Sequence, residues 1–211
     1  MRFDIIVHGQ SLICARSFKG KCASSVATSL RPSNVISYPL DGGQGGGYTL
    51  KMLEPLPDEY FMREALRQAQ KAYAADEVPV GTVIVREGKI VARAYNQVEL
   101  LKDATAHAEM LALTQAEAAV GDWRLTDCDL YVTKEPCAMC AGALVHTRIR
   151  RVIFGCADPA SGAAGSMMNL LQMPSFNHQC EITAGVLQKE CAAILQDFFR
   201  KRRDERGSTT S

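Results

Sequence analysis

The sequence predicts an α/β domain, a three-layer α/β/α sandwich on a mixed five-stranded sheet. Three observations predict it. Beyond residue 57, a leading helix is followed by the order β-β-α-β-α-β-α. The strand segments are short and β-branched, and the helical ones are rich in Ala, Leu and Glu. A length of 211 residues, 47% of them hydrophobic and 22% charged, suits one ordinary globular domain with a sizeable core.

The elements follow in order. Pro57-Asp58 opens the first helix, with Asp58 the candidate N-cap. Met62, Ala65, Leu66, Ala69, Ala72 and Tyr73 then fall at helical spacing. Residues 79–85 read as a strand, which Glu87-Gly88 turns into a second over 90–95. Residues 106–119 predict a helix, and 130–133 a buried strand. Pro136 suits the first turn of a helix running to about His146. Residues 151–154 form another strand, and 181–183 a short one. Cys191, Ile194, Leu195, Phe198 and Arg202 put one apolar face on a C-terminal helix. There is no internal repeat and no sign of a second domain.

Residues 1–51 differ in kind. They show no sustained period, hold seven serines between Ser11 and Ser37, and pass through Asp41-Gly-Gly-Gln-Gly-Gly-Gly47. An organellar transit peptide and a disordered tail both fit this composition. The favoured expectation is that translation begins at Met52 and the upstream residues are a start-site artefact, because a compact domain, residues 52–211, begins immediately after it. The apolar run after Met1 is too short for a secretory signal.

The net charge is +1, yet residues 1–51 carry six Lys/Arg and two acids, leaving the remainder with eighteen bases and twenty-one acids. Overall charge therefore carries no nucleic-acid signal, and any RNA contact rests on local patches such as Arg148-Ile-Arg150-Arg151 and Arg200-Lys-Arg-Arg203. Either patch could equally be solvated surface, or, for the second, a helix end whose dipole favours cations. No apolar run approaches the roughly 18 residues of a membrane span. Two of the eight cysteines form a CxxC and the rest show no framework spacing, which suits reduced thiols in a cytosol-like compartment.

The chemistry lies in a split signature, His107-Ala-Glu109 and Pro136-Cys137-Ala-Met-Cys140. It offers three zinc ligands, His107, Cys137 and Cys140, and one carboxylate, Glu109, that is not a ligand. Structural zinc sites fill all four positions, whereas three protein ligands leave one open for water. Each half sits at a predicted helix start, where positions i and i+3 share one side and the N-terminus favours thiolate. Two strand-to-helix junctions side by side would converge on one ion at the end of the sheet. A lone CxxC is often a structural zinc or redox pair, and a lone His-Ala-Glu is ordinary helix composition. It is the pair, each half after a strand and with Pro before the first Cys, that is specific. The pattern H-x-E…P-C-x-x-C is itself the known signature of zinc-dependent nucleobase deaminases, so this step is a resemblance.

Longer stretches resemble the bacterial tRNA-specific adenosine deaminases: Thr105-Ala-His107-Ala-Glu109, the run from Leu130 through Glu135-Pro-Cys137-Ala-Met-Cys140 to His146, Asp158-Pro-Ala-Ser-Gly-Ala-Ala-Gly165-Ser166, Asn177-His178 and Phe198-Phe-Arg200. The resemblance covers about residues 57–203. It implies a cytidine deaminase-like fold, one zinc per subunit, a homodimer in the cytoplasm with no membrane association, and hydrolytic conversion of adenosine to inosine at the wobble position of an arginine tRNA with an ACG anticodon. Zinc acidifies water towards a pKa of about 7, and Glu109 would take that proton and pass it to the ring and then the leaving amine. Asn96 would contact the flipped base in a pocket walled by Val80. Asp158 and the loop after it would grip the anticodon nucleotides, and Asn177, His178, Phe198 and Arg202 would also touch RNA. A loop base is already easy to splay out.

Two positions depart from the family pattern: Ala160 stands where many relatives carry Lys, and Lys134 where an apolar residue is more often expected. The outer residues also have plainer readings. Asn96 could end a strand in a turn, Phe198 and Phe199 could be core, and Asp158-Pro could be a turn only. Two other functions share the zinc set: deamination of a free base or nucleoside of guanine or cytosine type, and a non-catalytic zinc-bearing RNA-binding subunit, against which Glu109 argues.

Overall fold

In this computed structural model the described residues are 4–8, 11–15, 35–39, 48–52 and 56–208, with side chains over 56–206. The chain divides into Met1–Leu53 and Glu54–Ser211. In the first unit β1 (Asp4–His8) pairs antiparallel with β2 (Ser11–Ala15), and β3 (Val35–Pro39) with β4 (Tyr48–Met52). The leader's sequence predicts no regular element there; strands of five residues are too short to announce themselves by period. Everything else expected of 1–51 falls on residues outside those described, and the division lies two residues beyond the expected boundary.

The second unit is built on five strands in the order β6-β5-β7-β8-β9: β5 (Gly81–Arg86), β6 (Lys89–Tyr95), β7 (Cys128–Lys134), β8 (Arg151–Cys156) and β9 (Glu181–Ala184). β5 runs antiparallel to both β6 and β7, while β7-β8 and β8-β9 are parallel, so the sheet is mixed as expected. The central strands are apolar on both faces because both are covered. Ile84, Leu130, Val132, Val152 and Phe154 point to one side, and Val83, Val85, Tyr131 and Ile153 to the other. Each such side chain taken from water contributes about 1.5–3 kcal/mol.

The first side is closed by α3 (Ala108–Val120) and α4 (Ala138–His146), through Ala112, Leu113, Ala116, Ala141 and Leu144. The second is closed by α1 (Asp58–Ala74) and α5 (Gln188–Ser208), through Phe61, Met62, Ala65, Cys191 and Leu195. Gly81 lets α1 lie directly on β5; a β-carbon there would run into the Ala65 carbonyl. Two local expectations are corrected. Pro57, not Asp58, is the N-cap of α1, and Asp58 instead accepts hydrogen bonds from Tyr131 Oη (2.8 Å) and the Arg151 guanidinium (2.9 Å). Pro136 lies one residue before the cap of α4 rather than in its first turn. The short helix α2 (Val98–Leu101) has no counterpart in the sequence reading.

The topology positions the site. β6 and β7 are both antiparallel to β5, hence parallel to each other in direction, and their C-terminal ends meet the same edge of the sheet. The chain leaves β6 through α2 into α3, and leaves β7 straight into α4, so both helices begin at that edge. Among the described residues no helix is long and apolar enough to cross a membrane.

Candidate active site

His107 is the N-cap residue of α3 and Cys137 that of α4, both in extended backbone, with Cys140 one turn on. His107 Nδ1 lies 3.6 Å from Cys137 Sγ and 3.5 Å from Cys140 Sγ. The three donor atoms lie within 4.8 Å of one another. A tetrahedral zinc with bonds of ~2.05 Å to nitrogen and ~2.3 Å to sulfur would set N and S roughly 3.5 Å apart. One imidazole and two sulfurs at that spacing fit such an ion, and among the described residues the cluster holds these three donors. Hydrogen bonds from Cys140 and His107 pull the Cys137 thiol down to about 3, while its bond to Cys137 and burial push Cys140 up.

Glu109 sits on α3 two residues beyond His107 and is buried. Burial pushes its carboxyl above the ordinary range, against the pull of its own backbone N–H and of His107. Glu109 shares a cavity of about 350 Å3 with His107, Cys137, Asn96, Val80, Lys134, Glu135, Asp158 and Phe199. Asn96, at the end of β6, is buried, and its Nδ2 donates to Glu77 Oε2 at 3.1 Å. A carboxylate only accepts, so the amide nitrogen must face Glu77. The other Glu77 oxygen accepts from the Leu100 N–H at 2.6 Å and pins α2 beside the cavity.

Lys134 and Asp158 form an ion pair at 2.7 Å, which gives the unexpected lysine a partner. Burial would raise the Asp158 carboxyl, but Lys134 and Ser161 hold it below the usual range. Glu135 is likewise held low: burial is outweighed by N–H donors of Asp158, Ser166 and Ala164 and by the Ser166 hydroxyl. Among the outer residues, Phe198 is core, packed edge-on to Tyr73 at 5.7 Å; its neighbour Phe199 is the one that reaches the cavity. Phe198 and Arg202 instead line an adjoining groove of about 780 Å3, with Arg203 and Arg206. Arg202 lies 5.3 Å over the Phe198 ring and is paired with Asp76 at 2.8 Å.

Asn177 and His178 are not brought to this cavity. Asn177 lines a separate depression with Trp123, Val145 and Phe176, and His178 Nε2 lies 2.8 Å from the Ile149 carbonyl oxygen. In the patch around Arg148, Arg150 is held by Asp129 and Arg151 by Asp58 and Asp129, while Arg148 lines the depression with Asn177. Glu77, Glu135 and Phe199 were missed by sequence reasoning. For Glu135 a signal existed, an acid directly before Pro-Cys in the ligand motif.

A profile of the family described as MafB19-like deaminase matches residues 57–203, the second unit almost entire. Similarity to individual proteins is narrower. The chain is 50% identical over 149 residues to the tRNA-specific adenosine deaminase of Bacillus subtilis (strain 168), covering 71% of this chain and 92% of that protein. It is 47% identical over 146 residues to the tRNA-specific adenosine deaminase of Aquifex aeolicus (strain VF5), covering 69% and 96%. A solved structure from work on A-to-I editing by tRNA:A34 deaminases superposes with a TM-score of 0.63 at 43% identity, covering 64% of this chain and 99% of the other. The guanine deaminase of Nitrosomonas europaea, at 21% identity and a TM-score of 0.59 over 85% of this chain and 98% of its own, shares the fold. The chain belongs to the tRNA-specific adenosine deaminases.

Proposed function

We propose that this protein hydrolyses adenosine to inosine at the wobble position of a tRNA, the arginine tRNA with an ACG anticodon being its substrate, with zinc held by His107, Cys137 and Cys140. The observation that carries the reading is the three-donor cluster, with His107 and Cys137 opening on the same cavity as Glu109 and Asn96 and Cys140 buried behind them. A bound zinc supplies Lewis acidity that makes water a nucleophile at neutral pH. Glu109, buried beside the three donors, serves as both base and acid. It takes one proton from the attacking water as oxygen bonds to C6 of the base and gives it to ring nitrogen N1, then carries the second proton from the new C6 hydroxyl to the exocyclic amine as that oxygen becomes the carbonyl. The C6–N bond breaks and ammonia leaves.

A cavity of about 350 Å3 suits one nucleobase and little more. It is lined by five carboxylates, those of Glu77, Glu99, Glu109, Glu135 and Asp158, against Lys134 and His107. Such a lining repels phosphate, so the base enters and the backbone stays outside. The adjoining groove with Arg202, Arg203 and Arg206 is where phosphates would find positive charge. Asn96 would bind the base edge, Val80 would wall it, and Asp158 with its loop would hold the flanking nucleotides; Phe198 and Arg202 would shape the groove. Asn177 and His178, remote from the cavity, would touch RNA only elsewhere along the tRNA. The exposed Trp123 and Phe176 beside Val145 offer a face for a second copy, and a homodimer in the cytoplasm is part of this reading. Residues 1–51, leader or start-site artefact, are dispensable for activity on this reading, so a protein starting at Met52 should deaminate as well as the full chain.

The test is incubation of the zinc-loaded full chain with the ACG-anticodon arginine tRNA, beside free adenosine, cytidine and guanine. Inosine at the wobble position, read as A-to-G on reverse transcription, with ammonia only from the tRNA, is expected. Ammonia only from a free compound would overturn the substrate, and none from any would overturn the enzyme.

A further inference from the structure

Glu135 is buried, at 2% exposure, at the junction between β7 and the Cys137 end of α4. All of its bonds reach forward in the chain. Oε1 accepts the N–H groups of Ala164 and Ser166, both at 3.0 Å. Oε2 accepts the Asp158 N–H at 2.9 Å and the Ser166 hydroxyl. One carboxylate thus gathers four donors from a single loop, residues 158–166. Two backbone contacts run alongside: Ala163 N–H donates to the Pro136 carbonyl at 2.8 Å, and Cys137 pairs with Gly162 as an antiparallel bridge. Gly162 is required there, since a β-carbon would run into the Glu135 carboxylate. The loop in turn supplies Asp158 and Ser161 to the wall of the cavity.

We propose that Glu135 is a positioning residue that registers the substrate-holding loop 158–166 against the metal-ligand end of α4, so that the nucleotide wall and the ion move as one piece. The inference rests on the tRNA reading above. A side chain bonded only within one element could be replaced without altering where substrate lies. Glu135 has its backbone in the ligand junction and its carboxylate in the loop, so losing it separates the two. Glutamine is not equivalent, because its NH2 group would face donors where Oε1 or Oε2 now accepts.

The experiment compares the full-length wild type, Glu135→Gln and Ser166→Ala on an anticodon stem–loop, measuring kcat, KM and bound zinc. Glu135→Gln should raise KM by about tenfold or more, with kcat within about threefold and one zinc per chain retained. Ser166→Ala removes one exposed donor and should fold normally; it should raise KM by about two- to fourfold. Unchanged KM in both variants would overturn the proposal, as would loss of zinc with KM intact, which would assign Glu135 to the metal alone. If Glu135→Gln does not fold, Ser166→Ala decides by the same KM criterion. A wild type that makes no inosine in the stem–loop would overturn the substrate reading, and this proposal with it, before any variant is compared.

Discussion

The two ends of β7 carry charge in opposite ways. At its start, Asp129 takes the Arg150 guanidinium through two bonds of 2.8 Å, and Asp58 takes Arg151 at 2.9 Å and Tyr131 Oη at 2.8 Å. Burial and then Asp58 push the Tyr131 hydroxyl pKa up, so it stays a donor. These charges answer one another across α1, β7 and β8, and they hold the sandwich together. At the other end of β7, Lys134, Glu135 and Cys137 line a cavity in which carboxylates outnumber cations. Charge that closes on itself fastens elements; an excess of carboxylates around a cavity favours a positively charged occupant.

The contrast can be broken in order of effect. Cys140→Ala at the open end should abolish metal binding and reduce inosine formation by more than about hundredfold, since a ligand outweighs the 10–100-fold typical of the groups behind it. Metal analysis and inosine yield check it, and chelation followed by zinc addition should reproduce loss and recovery in the wild type. Asn96→Ala should lower kcat/KM by about ten- to hundredfold through a lost base contact. It should also cost stability by stripping Glu77 of a partner.

At the closed end, Asp129→Ala should leave kcat and KM unchanged. It should lower stability by about 1–2 kcal/mol, discounted because Arg150 is half exposed, and so move Tm by a few degrees. An altered KM there would make the Arg150–Arg151 patch an RNA surface after all. The smallest effect concerns Asp158, whose carboxyl is held below its ordinary range. A group with a depressed folded pKa stabilises above its unfolded value, about 3.9, and loses that contribution as pH falls through the folded one. Asp158→Asn should therefore flatten the Tm–pH curve below pH ~4 and leave its shape near neutrality alone.

What the sequence revealed follows physical range. His107, Cys137 and Cys140 were legible because few side chains bind such an ion and a helix start imposes their spacing. The central strands of the second unit, β5, β7 and β8, were legible because their apolar residues run close together. The partners of Glu135 were not, although its place before Pro-Cys is visible, because they lie 23 to 31 residues downstream and only the fold brings them back. The Arg150–Arg151 patch looked available for the same reason: Asp129 is 21 residues away for Arg150. Asp58 looked like a cap because caps are local, whereas its real partners are on β7 and β8. Phe198 and Phe199 are adjacent on one helix and cannot share a face, so only the packing of α5 tells which is core.

The central claim is that the open end of the sheet does chemistry through Glu109, and the most direct measurement is Glu109→Gln. The variant keeps the size of the side chain, all three metal donors and the buried site. The account predicts one zinc per chain, unaltered binding of the anticodon stem–loop, and inosine formation slower by at least about hundredfold. Full activity in a zinc-loaded Glu109→Gln protein would contradict it, and would require the proton to travel through another group of the cavity.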